Sequence, residues 1–228
     1  AYSCSEALTT GRRPGGSGSR DSCCDLASGD SRRETPRRCA SRATGGASWL
    51  AGRRTASLRP EVAVRAEVGS PESLMRHLAD GLLDIAVLYS PEARPGFLIE
   101  KLMDETLVMI ASRPGHNGPG AADYVFVDWG PDFDAWHSDQ FPQYHGAGLN
   151  VSLGALGFRH VLTNGGAGYF PARVVAPEIA AHRLFPIIGA PQFLRPFHVI
   201  YPAGGLSEST MDALASLREA TRDEARMS

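Results

Sequence analysis

The chain has 228 residues, 43% of them hydrophobic and 21% charged, with a formal net charge of −2. This length suffices for one large or two small domains with a buried core. No apolar run approaches the roughly 18 residues that a membrane span needs, and the N-terminus lacks the basic-then-apolar pattern of a signal peptide, so the sequence predicts a cytoplasmic protein without membrane contact.

Residues 1–58 differ in composition from the rest of the chain. They contain ten Arg against five acidic residues and no Val, Ile, Phe or Met, whereas residues 59–228 carry thirteen basic and twenty acidic residues. So few apolar side chains cannot offset the entropy of ordering the backbone, which predicts a disordered segment. Its arginine pairs leave a DNA-binding arm as an alternative. A third hypothesis is a frameshifted or mis-started translation, because the whole chain has a single Lys, a bias expected of GC-rich coding.

The cysteines lie in the same segment and show no recognisable pattern. C-x-x-C spacing is absent there, and so is a histidine that could complete a zinc set. The sequence therefore predicts neither a metal site nor a disulfide framework from Cys4, Cys23, Cys24 and Cys39.

Residues 61–89 show the pattern of a strand, a helix and a second strand. Alternating Val and Ala residues over 61–68 have the period of a strand. Ser70 suits a helix N-cap, Pro71 suits the first helical position, and Gly81 suits the end of the helix. Residues 82–89 are apolar except for Asp84, as in a strand covered on both faces. The sequence predicts a right-handed βαβ unit.

Further strands and helices are predicted along the rest of the chain. Residues 105–111 form a predicted buried strand, and the breaker-rich residues 113–120 mark the crossing to a second lobe. Within the second lobe, residues 124–129 are the first strand. Residues 197–201 form a strand that returns to the first lobe, and a helix from Ser207 to about residue 225 follows it. Two α/β lobes joined by more than one crossing place a ligand cleft between the carboxyl ends of their strands.

The chain resembles the effector-binding domain of LysR-type transcriptional regulators, whose fold is similar to that of the type II periplasmic binding proteins. The segments that carry the resemblance are Gly69–Pro71, Leu78–Val87, Leu102–Val108, Val161–Pro171 and Val199–Pro202. It covers residues 59–228. The resemblance implies an α/β fold of two Rossmann-like lobes, with lobe I at residues 59–115 and 196–228 and lobe II at residues 116–195, preceded by the disordered segment 1–58.

The resemblance also implies a function and its partners. A small organic effector, expected to bear a carboxylate, would bind between the lobes, and the protein would form a homo-oligomer, a dimer or a tetramer. DNA would be contacted only through a winged helix-turn-helix, which is not visible in this chain. The family's domain also opens with a strand and a helix before Glu61, and residues 40–58 lack that pattern. The first lobe is therefore expected to have a gap beside its first strand.

Two turns are the candidate binding elements. Ser70 lies at a helix N-terminus, which favours anions, although a plain N-cap is an equal alternative. The glycine-rich bend before Tyr169 could hold a carboxylate with its backbone amides, or could simply end a helix. Tyr89, Trp129 and Tyr169 could line the pocket or pack in the core. The predicted effector-binding residues are Gly69, Ser70, Pro71, Tyr89, Trp129, Gly165, Gly166, Ala167, Gly168 and Tyr169.

Catalysis, metals and cofactors are not predicted. The polar cluster of residues 128–145 lacks H-x-x-x-H and calcium-loop spacing, so a solvated helix face is favoured over a metal site. The chain contains neither a phosphate-binding glycine loop nor a G-x-S-x-G motif, and so no catalytic residue is predicted. The first alternative left open is a solute-binding protein of the same fold, and the second is an α/β enzyme.

Overall fold

The computed structural model describes residues 5–12 and 62–227. Strands and helices alternate through most of this part of the chain. The strands are β1 (Ser5–Arg12), β2 (Val62–Gly69), β3 (Ile85–Leu88), β4 (Phe97–Ala111), β5 (Val125–Val127), β6 (Leu149–Val151), β7 (Ala167–Pro171), β8 (Phe185–Pro186) and β9 (Phe193–Pro202). The helices are α1 (Pro71–Ala79), α2 (Pro131–Gln140), α3 (Gly154–Asn164), α4 (Ala172–Ala180) and α5 (Glu208–Met227).

Two long strands connect the two lobes. The main sheet has the order β2-β1-β3-β9-β4-β7, with β8 also pairing with β4, while β5 and β6 form a separate parallel pair. Strand β4 pairs with β9 from Phe97 to Leu107, and with β7 from Leu107 to Ala111. Lobe I therefore contains β1 to β3, and lobe II contains β5 to β8. Because β4 and β9 belong to both, the backbone hydrogen bonding is continuous between the lobes.

The predicted βαβ unit is present, but its strands are not neighbours. Strand β1 lies between β2 and β3 and runs antiparallel to both. Strands β2 and β3 are therefore parallel to one another, as predicted, but separated by a strand that the sequence did not predict.

Strand β1 corrects the expectation for residues 5–12. The segment was predicted to be disordered because it has few apolar side chains, and the first lobe was predicted to have a gap. In the structure, residues 5–12 fill that gap, because β2 and β3 both present backbone donors and acceptors that any extended segment can pair with. The predictions made for residues 1–4 and 13–61, including the basic arm and the frameshift, lie outside the described residues.

Helix α1 begins where the sequence predicted. The Ser70 hydroxyl accepts a hydrogen bond from the backbone N–H of Ser73 at 3.2 Å, and Pro71 occupies the first turn. Leu74, Met75 and Leu78 are buried against β3 and β9. This packing fixes the Ser70 turn at the carboxyl end of β2.

The hydrophobic core lies on both faces of the sheet in each lobe. In lobe I, α1 covers one face of β3 and α5 covers the other, which explains why all four residues of β3 are buried. Leu214 and Leu217 of α5 face inward as predicted, whereas Met211 is 52% exposed. In lobe II, α3 and α4 cover one face of β7, and α2 covers the other. None of the helices in the described parts of the chain is long and apolar enough to cross a membrane.

Candidate functional site

A cavity of about 540 Å³ lies between the lobes. It is at the carboxyl ends of β3 and β5, where α/β sheets usually bind ligands. Lobe I contributes the first turn of α1 and the loop after β3, lobe II contributes the turn between β5 and α2, and β9 forms the floor. The lining residues that matter here are Pro71, Glu72, Tyr89, Ser90, Glu92, Arg94, Trp129, Gly130, Pro131, Asp132, Phe133, Phe193 and Arg195.

The floor of the cavity carries a buried arginine. Arg195 is 4% exposed, and its guanidinium carbon lies 3.3 Å from the centroid of the Tyr89 ring and 5.4 Å from that of the Trp129 ring. Burial lowers the pKa of Arg195 from its ordinary value, and the nearby Tyr89, Glu105, Asp132 and Asp128 act in the opposite direction. A guanidinium stays charged at any physiological pH, so the cavity has a positively charged floor.

A buried carboxylate connects the floor to both lobes. Glu105 of β4 is 2% exposed. It accepts a hydrogen bond from the Tyr89 hydroxyl at 2.8 Å and another from Nε of Arg173 at 2.8 Å. Tyr89 belongs to lobe I, and Arg173 belongs to the first turn of α4 in lobe II. Burial, followed by the charge of Glu105, raises the pKa of Tyr89 far above its ordinary value, so its hydroxyl remains a donor.

The mouth of the cavity is acidic. Among the residues that the structure describes, Glu72, Glu92 and Asp132 are exposed there, against one exposed cation, Arg94. The hydroxyl of Ser90 donates to Oδ2 of Asp132 at 3.5 Å, so lobe I and lobe II touch across the opening.

Two helices begin at the cavity. The first turn of α1 lines it from lobe I, and the first turn of α2, at Gly130 and Pro131, lines it from lobe II. Gly130 has a φ of 105°, which favours glycine, and its N–H donates to Oδ1 of Asp128 at 2.9 Å. The remaining N–H groups of a first helical turn carry a partial positive charge, so both helix ends add to the field of Arg195.

The sequence model of the LysR substrate binding domain matches residues 44–222. The chain belongs to this family. A search of the curated proteins finds no matching sequence. The family assignment confirms the predicted LysR-type effector-binding domain, its α/β fold and its non-enzymatic class.

Solved structures of LysR-type regulators share the fold. The regulatory domain of HypT from Salmonella typhimurium with bound bromide is 13% identical, with a TM-score of 0.52, and the match covers 67% of this chain and 79% of that one. Full-length LysG from Corynebacterium glutamicum with bound effector Arg is 16% identical, with a TM-score of 0.58, and the match covers 77% of this chain and 64% of the LysG chain. DarR from Vibrio fischeri in complex with DNA is 15% identical, with a TM-score of 0.56, and the match covers 65% of this chain and 55% of the DarR chain. The chain thus spans less than two thirds of the LysG and DarR chains.

Five of the predicted binding residues lie at or beside the cavity of this LysR-type domain. Pro71, Tyr89 and Trp129 line it. Gly69 and Ser70 form the turn immediately before Pro71, and the Ser70 hydroxyl is engaged in the helix cap.

The other five predicted residues lie elsewhere in lobe II. The bend Gly165–Gly168 begins β7, and Ala167 pairs with Ala111 of β4. The cavity floor lies where Arg195 pairs with Glu105 of β4, six residues away, or about 20 Å along an extended strand. Because β7 runs antiparallel to β4, its other end, at Pro171, approaches the cavity.

Tyr169 and the glycine bend have structural contacts. Tyr169 is 1% exposed, and its carbonyl accepts a hydrogen bond from the Trp129 indole at 3.0 Å, so it supports the cavity wall from behind. The N–H of Gly166 donates to the Ser112 hydroxyl at 3.0 Å. A Cβ at Gly166 would lie 2.2 Å from the Asp123 carbonyl oxygen, so only glycine allows this approach.

The residues that sequence reasoning missed are Arg195, Glu105 and Arg173. Each is a charged residue in or beside an apolar segment. A charge in such a segment could have indicated a site, because a buried charge requires partners. Among the described residues, no group of three His, Cys, Asp or Glu could bind a metal ion.

Proposed function

We propose that this domain is the ligand sensor of a LysR-type transcriptional regulator and that its effector is a small organic molecule bearing a carboxylate. The observation that carries the proposal is Arg195, a buried guanidinium at the floor of an open cavity between two lobes.

The chemistry of the floor favours a carboxylate. A guanidinium presents paired N–H donors that match the two oxygens of a carboxylate, and burial makes such a contact stronger than in water. The first turns of α1 and α2 add partial positive charge from two sides. Anionic groups are also found among the similar structures: HypT carries bromide, and LysG carries Arg, an amino acid with a carboxylate.

Ligand binding would act on the relative position of the lobes. A molecule on Arg195 touches Tyr89 of lobe I and Trp129 of lobe II, because both rings pack on that guanidinium. A ligand that fits one lobe arrangement better shifts the population toward it. The shared strands β4 and β9 limit this change to bending, and the shift in pairing register between Lys101 and Met103 is the natural place for it.

The proposed partners are DNA and further copies of the same protein. Regulation of transcription requires DNA, and the similar structure of DarR is a complex with DNA. We propose that DNA is contacted through a separate winged helix-turn-helix, that the protein acts as a homo-oligomer, and that it works in the cytoplasm with its DNA. The family match does not favour the solute-binding alternative.

The experiment compares acids with their amides. Calorimetric titration of the 228-residue chain with a panel of small carboxylic acids and the matching neutral amides should show binding of acids only. Arg195→Gln should weaken the best acid by about a hundredfold. Arg195→Lys keeps the charge and loses the paired donors, and so should be intermediate. Arg159→Gln changes an exposed arginine outside the cavity and is the control. Equal affinity for acids and amides, or for wild type and a folded Arg195→Gln, would contradict the proposal.

A further inference from the structure

The charges around the cavity are arranged by depth. The cation Arg195 is buried at the floor, whereas the acids Glu72, Glu92 and Asp132 are exposed at the mouth. Arg94 is the single cation among the described residues at the mouth, so the three acids and this arginine together carry two net negative charges. A simple carboxylate ion therefore gains attraction from the floor and meets repulsion at the opening.

Asp132 and Arg195 face the same space from different elements. Asp132 belongs to the first turn of α2 in lobe II, and Arg195 belongs to β9. Both line the cavity, and Asp132 lies close enough for its negative charge to favour the charged form of Arg195. A ligand placed between them meets a cation on one side and a carboxylate on the other.

Asp132 is also the residue that reaches across the opening. The Ser90 hydroxyl of lobe I donates to its Oδ2 at 3.5 Å, a long and weak hydrogen bond. A cationic group at this position could donate to the carboxylate of Asp132 and to the Ser90 oxygen together, and would thus join the two lobes through a charge-assisted contact.

We propose that the effector is a zwitterion of the amino-acid class, whose carboxylate binds Arg195 and whose ammonium group binds Asp132 beside Ser90. This rests on the proposed function. In an α-amino acid the two charged groups are separated by a single carbon atom, so together they complete an alternating series of charges from Arg195 to Asp132. The half-buried rings of Trp129 and Phe193 line the remaining space and suit an apolar side chain.

The test uses triplets of compounds that share one side chain and differ in whether they carry the carboxylate, the ammonium group or both. One triplet is L-phenylalanine, 3-phenylpropanoate and 2-phenylethylamine, and a second is L-leucine, 4-methylpentanoate and 3-methylbutylamine. Calorimetric titration of the 228-residue chain should give, in at least one triplet, an amino acid that binds about tenfold or more tightly than its deaminated acid, with the amine weakest. The expected cause is the contact between the ammonium group and Asp132.

The variant Asp132→Asn tests the zwitterion proposal separately from the carboxylate proposal. It should bring the affinities of the amino acid and the deaminated acid to within about twofold of each other. Asp139→Asn, at an exposed acid of the same helix outside the cavity, should keep the wild-type ratio. Thermal unfolding checks that each variant is folded.

The outcomes are distinguishable. Deaminated acids that bind as tightly as the amino acids overturn the zwitterion proposal and leave the carboxylate proposal intact. A preference that survives Asp132→Asn also overturns it. Amines that bind best overturn both proposals. Absence of binding by every compound overturns the zwitterion proposal. The panel of acids and amides then tests whether the effector bears a carboxylate.

Discussion

Glu105 shows how one residue links the lobes. Its carboxylate is buried on β4, between the Tyr89 hydroxyl of lobe I and the Arg173 guanidinium of lobe II. Arg173 is 68 residues away in sequence, and so the pairing is invisible to local pattern analysis. By contrast, Tyr89 and Trp129 could be predicted, because each follows the end of a strand, and strand ends are where such folds bind ligands.

Replacing Glu105 with Gln should destabilise the protein strongly. The change removes the negative charge that faces the guanidinium of Arg173, so this buried ion pair is lost at a cost of about 3 kcal/mol. Chemical denaturation measures this as a lower midpoint. Glu178→Gln removes the carboxylate of an ion pair with the exposed Arg183, and should cost less than about 1 kcal/mol. Equal losses for both variants would contradict the role of Glu105.

His137 is a second buried polar residue, in the core of lobe II. It is 1% exposed, its Nε2 lies 2.9 Å from the Tyr124 hydroxyl, and aromatic rings surround it. Burial lowers its pKa to about 4, and the charge of Asp134 opposes this only weakly. In the unfolded chain a histidine titrates near a pKa of about 6.5. His137 is therefore neutral in the folded protein at neutral pH.

This difference predicts a loss of stability in acid. Well above pH 6.5 His137 is neutral in both states and adds no pH dependence. Between pH 6.5 and pH 4 the unfolded state binds the proton and the folded state does not, so the free energy of unfolding falls. Between pH 7.5 and pH 5 the loss is about 2 kcal/mol. Urea unfolding at both pH values should show this loss in wild type and in the exposed-residue control His145→Gln. His137→Phe should show a loss smaller by that amount, and an unchanged loss would refute the assignment.

At the scale of elements, strand direction decides which turns reach the cavity. The sequence indicated both the Ser70 turn and the glycine bend, but gave no information on which end of β7 faces the other lobe. The antiparallel pairing of β4 with β7 places Pro171 toward the cavity and the glycines away from it. Strand β1 was not predicted for a different reason. Strand pairing is made by backbone hydrogen bonds, so side-chain composition gives only a weak signal for it.

Gly166→Ala separates a structural role from a binding role for the glycine bend. The added Cβ would meet the Asp123 carbonyl oxygen at 2.2 Å, at a φ of 107°, so we expect a loss of about 2–4 kcal/mol in unfolding free energy. Gly189→Ala also has a positive φ but meets nothing within 4 Å, and should cost about 1 kcal/mol. Acid affinity of the folded Gly166→Ala should remain unchanged. Weaker binding without loss of stability would instead place the effector at the bend.

Proline at Ala7 tests the pairing of β1. Ala7 pairs with Glu67 of β2 and with Ala86 of β3. Proline at this position removes a backbone donor from a strand with neighbours on both sides, at a cost of about 3 kcal/mol. We expect a lower denaturation midpoint and more aggregation by light scattering, because β2 and β3 would be exposed as edges. Ala93→Pro, in an exposed loop, is the control. Equal stability of the two variants would show that β1 contributes nothing.

At the scale of the whole molecule, two lobes share strands β4 and β9, and the charged floor of the cavity lies on those strands. The fold class and the family followed from the order and spacing of short motifs over residues 59–228. The charges that define the cavity could not be predicted from those motifs, because Arg195, Glu105 and Asp132 come from separate elements that meet only after folding.

The position of a bound effector tests this account most directly. The measurement is a crystal structure of the chain with the small acid that binds it most tightly. We predict that the carboxylate lies about 3 Å from the guanidinium of Arg195, with Tyr89 and Trp129 in contact with the same molecule. An acid bound at the Gly165–Gly168 bend, or one that leaves Arg195 untouched, would contradict the account.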